Sequence, residues 1–227
     1  MRESDVTETE SLVNAFRAIY RSRDWKGQSS SGPGSDPVRT EAFRRFLGAF
    51  IRTHSVSSVV DIGCGDWASM RLVDWSSIDY LGRDVVPEVI AMNQEKYQRD
   101  SIRFEVLDAT RAPLPTADLA IIKEVMQHLP LQEVFFILDK LRTFRWAILV
   151  NDIAHSQAGR WTRLWKRHNF LPTNCDISVG GYRLLSLRDP PFNLPAVRLL
   201  KYENKYENLR WTKEVLLWTN LEKAAAS

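Results

Sequence analysis

Residues 57–70 read SSVVDIGCGDWASM: a short apolar run, a carboxylate at Asp61, then Gly63 and Gly65 around a cysteine. A β-branched run that closes on glycines predicts a buried strand feeding a tight turn. At such a turn the backbone can approach a ligand closely, at the start of the helix expected to follow. Outward from it lie further apolar runs, IDYLGRD, IRFEVLD, DLAIIKE and WAILVND. Helical patterns, PEVIAMNQEKYQR and LQEVFFILDKLRTF, follow the second and the fourth strand of the series. Such alternation predicts an α/β fold with a parallel, doubly wound sheet. Near the end, AVRLLKYEN and KEVLLWTN have no helix between them and read as an antiparallel hairpin, which completes a mostly parallel sheet of seven strands.

Before the turn, TETESLVNAFRAIYRSRD reads as a helix with Thr7 and Glu10 at capping-box spacing. WKGQSSSGPGSDPVRT breaks it and marks a loop. Asp36 and Pro37 signal a new helix start, and Phe43, Phe46, Leu47, Phe50 and Ile51 recur on one helical face, a core stripe. With 227 residues and 44% hydrophobic content, the chain can bury one sizeable core. No run is long enough to span a membrane and the first residues lack a signal-peptide core, so a soluble, cytoplasmic protein without a membrane partner is expected. Cys64 and Cys175 suit a reducing compartment and indicate neither a zinc site nor a disulfide framework. A net charge of +3 permits an anionic partner without demanding one. Of the eight tryptophans, several are expected to line a ligand surface.

Ligands of such sheets sit at the carboxyl ends of the strands, where Asp61, Asp84, Asp108 and Asp152 stand. Asp84 lies 19 residues past Gly65, the spacing of a carboxylate that accepts from ribose hydroxyls. Gly63, Gly65 and Ala68 also satisfy the nicotinamide fingerprint. Against that reading, Asp61 would repel a pyrophosphate and welcome a cationic amino-acid moiety. Asp108 offers an acceptor to an adenine amino group.

On these residues the chain resembles the class I S-adenosylmethionine-dependent methyltransferases. The resemblance is carried by VVDIGCG for the glycine turn, YLGRD for the ribose acid, EVLDAT for the adenine neighbourhood and KEVMQHLP after the fourth strand. It implies S-adenosylmethionine as cofactor and S-adenosylhomocysteine as product. Asp61, Gly63 and Gly65 would surround the methionyl part, Asp84 the ribose, Asp108 and Ala109 the adenine, with Lys123 and Glu124 lining the floor. Where the family turn has a third glycine this chain has Trp67. Residues 1–36 form an N-terminal helix and Gly/Ser lid loop over the cofactor, with Trp25 and Arg39 near it; a disordered linker is the other reading. Residues 37–227 form the methyltransferase domain, with an acceptor-site insertion at about 152–195.

A hydroxyl acceptor needs a general base, and His128 and His155 both lie toward the catalytic edge, with Asp152 as a further catalytic candidate. Asn151, Asp152 and Asp176 carry oxygen donors suited to magnesium, but their spacing is too loose to assign a metal site. DPPF at 189–192 matches an amine-methyltransferase motif but falls far from the fourth strand, so it reads as a turn. RWTRLWKRHNF at 160–170 interleaves aromatic and basic residues, a pattern for stacking bases, gripping sugar rings or packing. With LPTNCDISVGGYR and the SSSGPGS loop, the chain resembles a branch that includes sugar O-methyltransferases, among them mycobacterial enzymes acting on methylated mannosides. That implies a small saccharide acceptor in polysaccharide biosynthesis, met by Trp161, Trp165, Asp176, Tyr182 and Arg183, with nucleic acid the less favoured partner. The alternatives are an RNA or small-molecule N-methyltransferase and a non-catalytic cofactor-binding protein.

Overall fold

A computed structural model describes residues 3–22, 28–157, 173–206 and 209–221. The apolar runs form β1 (Ser58–Ile62), β2 (Asp79–Asp84), β3 (Ile102–Val106), β4 (Leu119–Lys123) and β5 (Trp146–Gln157). They pair in parallel, and β6 (Val197–Tyr206) and β7 (Leu209–Thr219) close the sheet as an antiparallel hairpin in the order β3-β2-β1-β4-β5-β7-β6. The α/β fold with a seven-stranded, mostly parallel sheet is thus as read from the alternation.

The period of two along each strand divides the core into two faces. Val59, Leu119, Ile121, Ile148 and Val150 point to one side, where α2 (Glu41–Thr53) adds Phe43, Leu47, Phe50 and Ile51. Val60, Ile62, Ala120, Ile122 and Leu149 point to the other, covered by α4 (Leu131–Asp139) through Val134 and Ile137 and by α1 (Glu3–Ser22) through Leu12 and Phe16. Alpha helix α3 (Pro87–Tyr97) links β2 to β3. Strand order reverses between β1 and β4, so a crevice opens at the carboxyl ends of those strands.

Several local expectations change. Helix α1 begins at Glu3, so Thr7 lies inside it and cannot cap it. Asp36 and Pro37 lead a turn; α2 begins at Glu41, and the Asp36 carboxylate instead accepts from the Gln28 and Ser29 amides at 2.9 and 2.8 Å. Strand β5 runs to Gln157, past the expected end, with a bulge between Asp152 and Ala154, so His155 stands within the strand. No α-helix follows the glycine turn; only a short 3-10 turn, Met70–Leu72, does.

That last difference explains Trp67. It takes a left-handed φ of 57° and is buried against Tyr80, Tyr97 and Phe104, ring centroids 5.4, 5.2 and 5.1 Å away. A third glycine serves close helix-to-strand packing; with no helix here, the space is filled by an indole. Trp75 and Trp146 are also core residues. Trp67→Gly should relieve about 1–2 kcal/mol of backbone strain but lose about 3–5 kcal/mol of packing. Urea denaturation should therefore show a net loss of stability; equal stability would mean that the strain relieved matches the packing lost, and a gain that the strain dominates.

Candidate active site

The crevice is a cavity of about 420 Å³, in the size range of small-molecule sites. Its cofactor-like half is built from strand ends. Gly63 and Gly65 have φ of 72° and 58°, and a Cβ on either would stand 2.2 Å from the Val125 side chain or 2.3 Å from Ser31 Oγ. A side chain at either position would strain the left-handed backbone and displace these neighbours, so glycine is favoured at both. Asp84 closes β2 and is buried; its Oδ2 accepts from the Gly65 amide and its Oδ1 from Val86, both at 3.0 Å. Burial raises its pKa above the ordinary carboxylate value, and those amides oppose the rise. Asp108 Oδ1 accepts from the Thr110 amide and hydroxyl at 2.9 and 2.6 Å, which shapes the turn that presents Ala109 to the cavity. Lys140 braces this turn from below by donating to the Ala109 and Ala112 carbonyls at 2.8 Å.

Asp61 does not line the main cavity. It is buried beneath the turn beside a small separate cleft, where Tyr80 Oη donates to it at 2.6 Å. Burial pushes its carboxyl up to about 6, against the pull of Tyr80 and Lys123.

The N-terminal segment roofs the cavity. Leu12, Phe16 and Tyr20 of α1 and residues 31–35 line it. Asp66, immediately after the turn, accepts from Ser29 Oγ, the Ser30 amide and Ser30 Oγ at 2.8, 2.7 and 2.9 Å. Its own amide donates to Ser31 Oγ at 2.8 Å, and Tyr20 Oη lies 3.0 Å from the same hydroxyl. Lys123 Nζ donates to the Gly34 carbonyl at 3.0 Å, and Arg39 also lines the cavity while its Nε donates to the Lys205 carbonyl at 2.8 Å.

On the far wall Lys213 of β7 is buried, its ammonium 2.6 Å from Glu124 Oε2 and 2.7 Å from Asp152 Oδ1. Burial disfavours its charged form, yet the two carboxylates outweigh burial and raise its pKa. Burial likewise pushes the Glu124 carboxyl up, but Lys123 and Lys213 hold it down at about 2. Asp152 also accepts from Tyr182 Oη at 3.1 Å and from Gln127 Nε2 at 3.2 Å, while Gln127 Oε1 accepts the Asp152 amide at 2.9 Å.

His128 lines the cavity at the end of the 3-10 turn Met126–His128. Its Nδ1 lies 2.8 Å from the Gly181 carbonyl oxygen, and its own carbonyl accepts from the Gly180 amide at 2.9 Å. A carbonyl can only accept, so the neutral ring carries its proton on Nδ1 and Nε2 is the basic nitrogen. Burial lowers its pKa below the ordinary imidazole value, with the Gly181 carbonyl opposing.

The cavity therefore brings together Gly63, Gly65, Asp84, Asp108, Ala109, Lys123, Glu124, Arg39, His128, Asp152 and Tyr182 of the expected residues. Others are placed elsewhere. His155 packs edge-on beside Trp211, its partner in the register, centroids 5.1 Å apart, and does not line the cavity. Asp176 caps α4, accepting the Leu131 amide at 2.8 Å. Arg183 is fully buried and staples the His128 turn, donating to the Leu129 and Met126 carbonyls at 2.6 and 3.2 Å. Trp25, Trp161 and Trp165 lie outside the described residues. Among the described residues no cluster of three or more His, Cys, Asp or Glu could hold a metal ion, and Asp152 and Asp176 serve separate partners. Cys64 and Cys175 are free thiols. Lys213, Gln127, Asn204, Leu209 and Trp211 line the cavity without having been expected, and Trp211 is the one tryptophan among the described residues to do so. For Leu209, Trp211 and Lys213 the signal was the alternation L-R-W-T-K in a strand, which also describes a surface hairpin.

Residues 60–141 match the methyltransferase domain family. No curated protein matches the chain. The fold is similar to that of magnesium protoporphyrin IX methyltransferase from Synechocystis PCC 6803 with bound S-adenosylhomocysteine, with a TM-score of 0.60 and 15% identity over 92% of this chain and 97% of that one. The same enzyme with S-adenosylmethionine gives 0.57 and 13%, over 92% and 95%. A structure described as the conversion of a disulfide bond into a thioacetal group during echinomycin biosynthesis gives 0.58 and 16%, over 94% and 97%. At such identities these likenesses show the fold. No helix among the described residues is long and apolar enough to cross a membrane.

Removing the charge at Lys213 leaves two buried carboxylates facing each other. Lys213→Met should cost about 3–5 kcal/mol in denaturant unfolding, and a neutral effect would mean that the ion triad is dispensable.

Proposed function

We propose that this chain, which carries a methyltransferase domain on the class I fold, transfers a methyl group from S-adenosylmethionine to a hydroxyl oxygen of a small saccharide, with His128 as general base. S-adenosylmethionine is the cofactor, and the residues present fit it: the glycine cradle takes the methionyl part, Asp84 the ribose hydroxyls, and Asp108 with Ala109 the adenine. When bound, the cofactor supplies an electrophilic methyl carbon on a sulfonium.

The observation that carries the oxygen acceptor is the imidazole. With Nδ1 committed to the Gly181 carbonyl, His128 Nε2 accepts the proton that a hydroxyl must lose as its oxygen becomes the nucleophile. Asp152, held by Lys213, fixes Tyr182 beside that ring, centroids 5.7 Å apart. Residues 1–36 act as the lid, excluding water while the acceptor oxygen is aimed. The acceptor wall then spans part of 152–195 together with the hairpin. Tyr182 and Trp211, edge-on at 5.4 Å, supply aromatic surface for a sugar ring. A second reading draws on the apolar part of the lining, Leu129, Ile137 and Leu209, and on the magnesium protoporphyrin IX after which a structural neighbour is named: a flat, apolar acceptor.

Calorimetry with S-adenosylhomocysteine, with NAD as control, tests the cofactor, and Asp84→Ala should weaken that affinity about tenfold or more. His128→Ala should leave it intact while turnover of methyl pyranosides falls about 10²–10⁴-fold; full activity would remove His128 as the base. The neutral imidazole is the active form, so the rate should rise with pH through a value below about 6.5 and level off above it. Turnover of aryl alcohols in place of pyranosides would favour the second reading.

A further inference from the structure

The hairpin presents a single face to the cavity. On β7, Leu209, Trp211 and Lys213 recur at every second position, and Asn204 of β6 stands directly opposite Trp211 in the antiparallel register. All four line the cavity. Directly opposed residues share a face with their Cβ atoms about 5 Å apart. Lys213 is committed to its two carboxylates and Leu209 is apolar, which leaves an indole and an amide for recognition.

Asn204 is only 5% exposed, yet its Nδ2 makes no hydrogen bond among the described residues. A buried amide donor without a partner is costly, and native structures seldom keep one without a reason. At a cavity wall that reason is a ligand oxygen. An indole beside an unfilled donor complements a molecule with an apolar ring face and oxygen atoms at its edge, which describes a pyranose.

We infer that Asn204 and Trp211 form the acceptor-recognition point: the sugar ring lies against the Trp211 indole, and one of its ring or hydroxyl oxygens accepts a hydrogen bond from Asn204 Nδ2. This rests on the saccharide reading above and assigns it to particular side chains. The lone donor sets which face of the ring can settle on the indole, and thereby which hydroxyl reaches His128. Asn204 acts as a specificity residue, apart from the proton transfer.

The test uses the full chain loaded with S-adenosylhomocysteine, as parent, Asn204→Leu and Trp211→Ala. Each is titrated with methyl α-mannopyranoside and methyl α-glucopyranoside, followed by calorimetry, and the melting temperature of each is measured without ligand. The parent should bind at least one pyranoside. Asn204→Leu should weaken that binding about tenfold or more, with S-adenosylhomocysteine affinity held within about twofold. Its melting temperature should stay level or rise, because the amide it removes has no partner to lose. A fall of several degrees would show that the amide is bonded internally, and would overturn the inference. Equal pyranoside affinity in parent and Asn204→Leu would overturn the inference alone and leave the saccharide reading standing. If the parent binds S-adenosylhomocysteine but neither pyranoside, both the inference and the saccharide reading fall while the methyl-donor reading survives. Trp211→Ala, which vacates the platform, should lose pyranoside binding as well; unchanged binding there would also count against it.

Discussion

An ammonium group taken out of water must be met by opposite charge, and Lys213 is met twice, by Glu124 and by Asp152. The three residues stand on β7, just past the end of β4, and on β5, so one cation ties together the strand ends where the parallel half of the sheet meets the hairpin. Glu124 reaches Lys213 by leaving the strand in a left-handed conformation, φ 59°, while its amide still pairs with Val150. Asp152 passes the constraint on. Its reciprocal bonds with Gln127 set the turn that carries His128, and its bond from Tyr182 sets the neighbouring ring. The imidazole is then locked by Gly180 and Gly181, whose segment is held in turn by Arg183. The placement of the His128 ring thus follows from compensating a single buried charge.

The other end of the cavity is governed by an absence of helix. In a doubly wound sheet the glycine turn ordinarily feeds a helix that covers it. Here the chain passes into a 3-10 turn, and cover comes from upstream, through α1 and the serine-rich loop. Asp66 is what makes this possible: its carboxylate gathers Ser29 and Ser30, while its amide takes Ser31. The same residues that read as a flexible Gly/Ser stretch are hydroxyl donors matched to one buried carboxylate. Tyr20 joins the helix to the loop through Ser31.

What could be read from the sequence was what is local. The five parallel strands announce themselves as apolar runs because both of their faces are buried, and the glycine cradle and its carboxylates lie close together along the chain or at strand ends. The position of Asp84 in the cavity was recoverable from spacing alone. The far wall of the cavity was not, because its residues meet only through register. Lys213 in a polar hairpin looks like any surface lysine until it is seen opposite Asp152. Trp211 and Asn204 alternate with polar and charged neighbours, as residues of an exposed strand do. Asp176 and Arg183 misled for the opposite reason. Polar residues in an insertion resemble ligand contacts, but an insertion has backbone groups and helix ends of its own to satisfy, and these two side chains are spent on that. His155 failed because β5 is longer than its apolar run: pairing with β7 carries the strand through polar residues that hydropathy alone would end.

The two halves of the sheet accordingly do different work for geometric reasons. Parallel strands end together at one edge, and their buried faces leave little room for polar side chains, so the cofactor half relies on turns, backbone amides and carboxylates at the strand tips. Antiparallel strands alternate freely between faces, and β6 and β7 extend past the end of β4 to stand as a wall beside the crevice. On β7 every second residue from Leu209 to Lys213 meets the cavity, and Asn204 of β6 joins them. The charge triad sits at the seam, where it keeps the wall at a fixed distance from the cradle. Asn204 and Trp211 of the hairpin and Gly63, Gly65 and Asp84 of the parallel half thus line one cavity from opposite halves of the sheet, so the wall can vary in side chain while the cradle keeps its turn and strand ends.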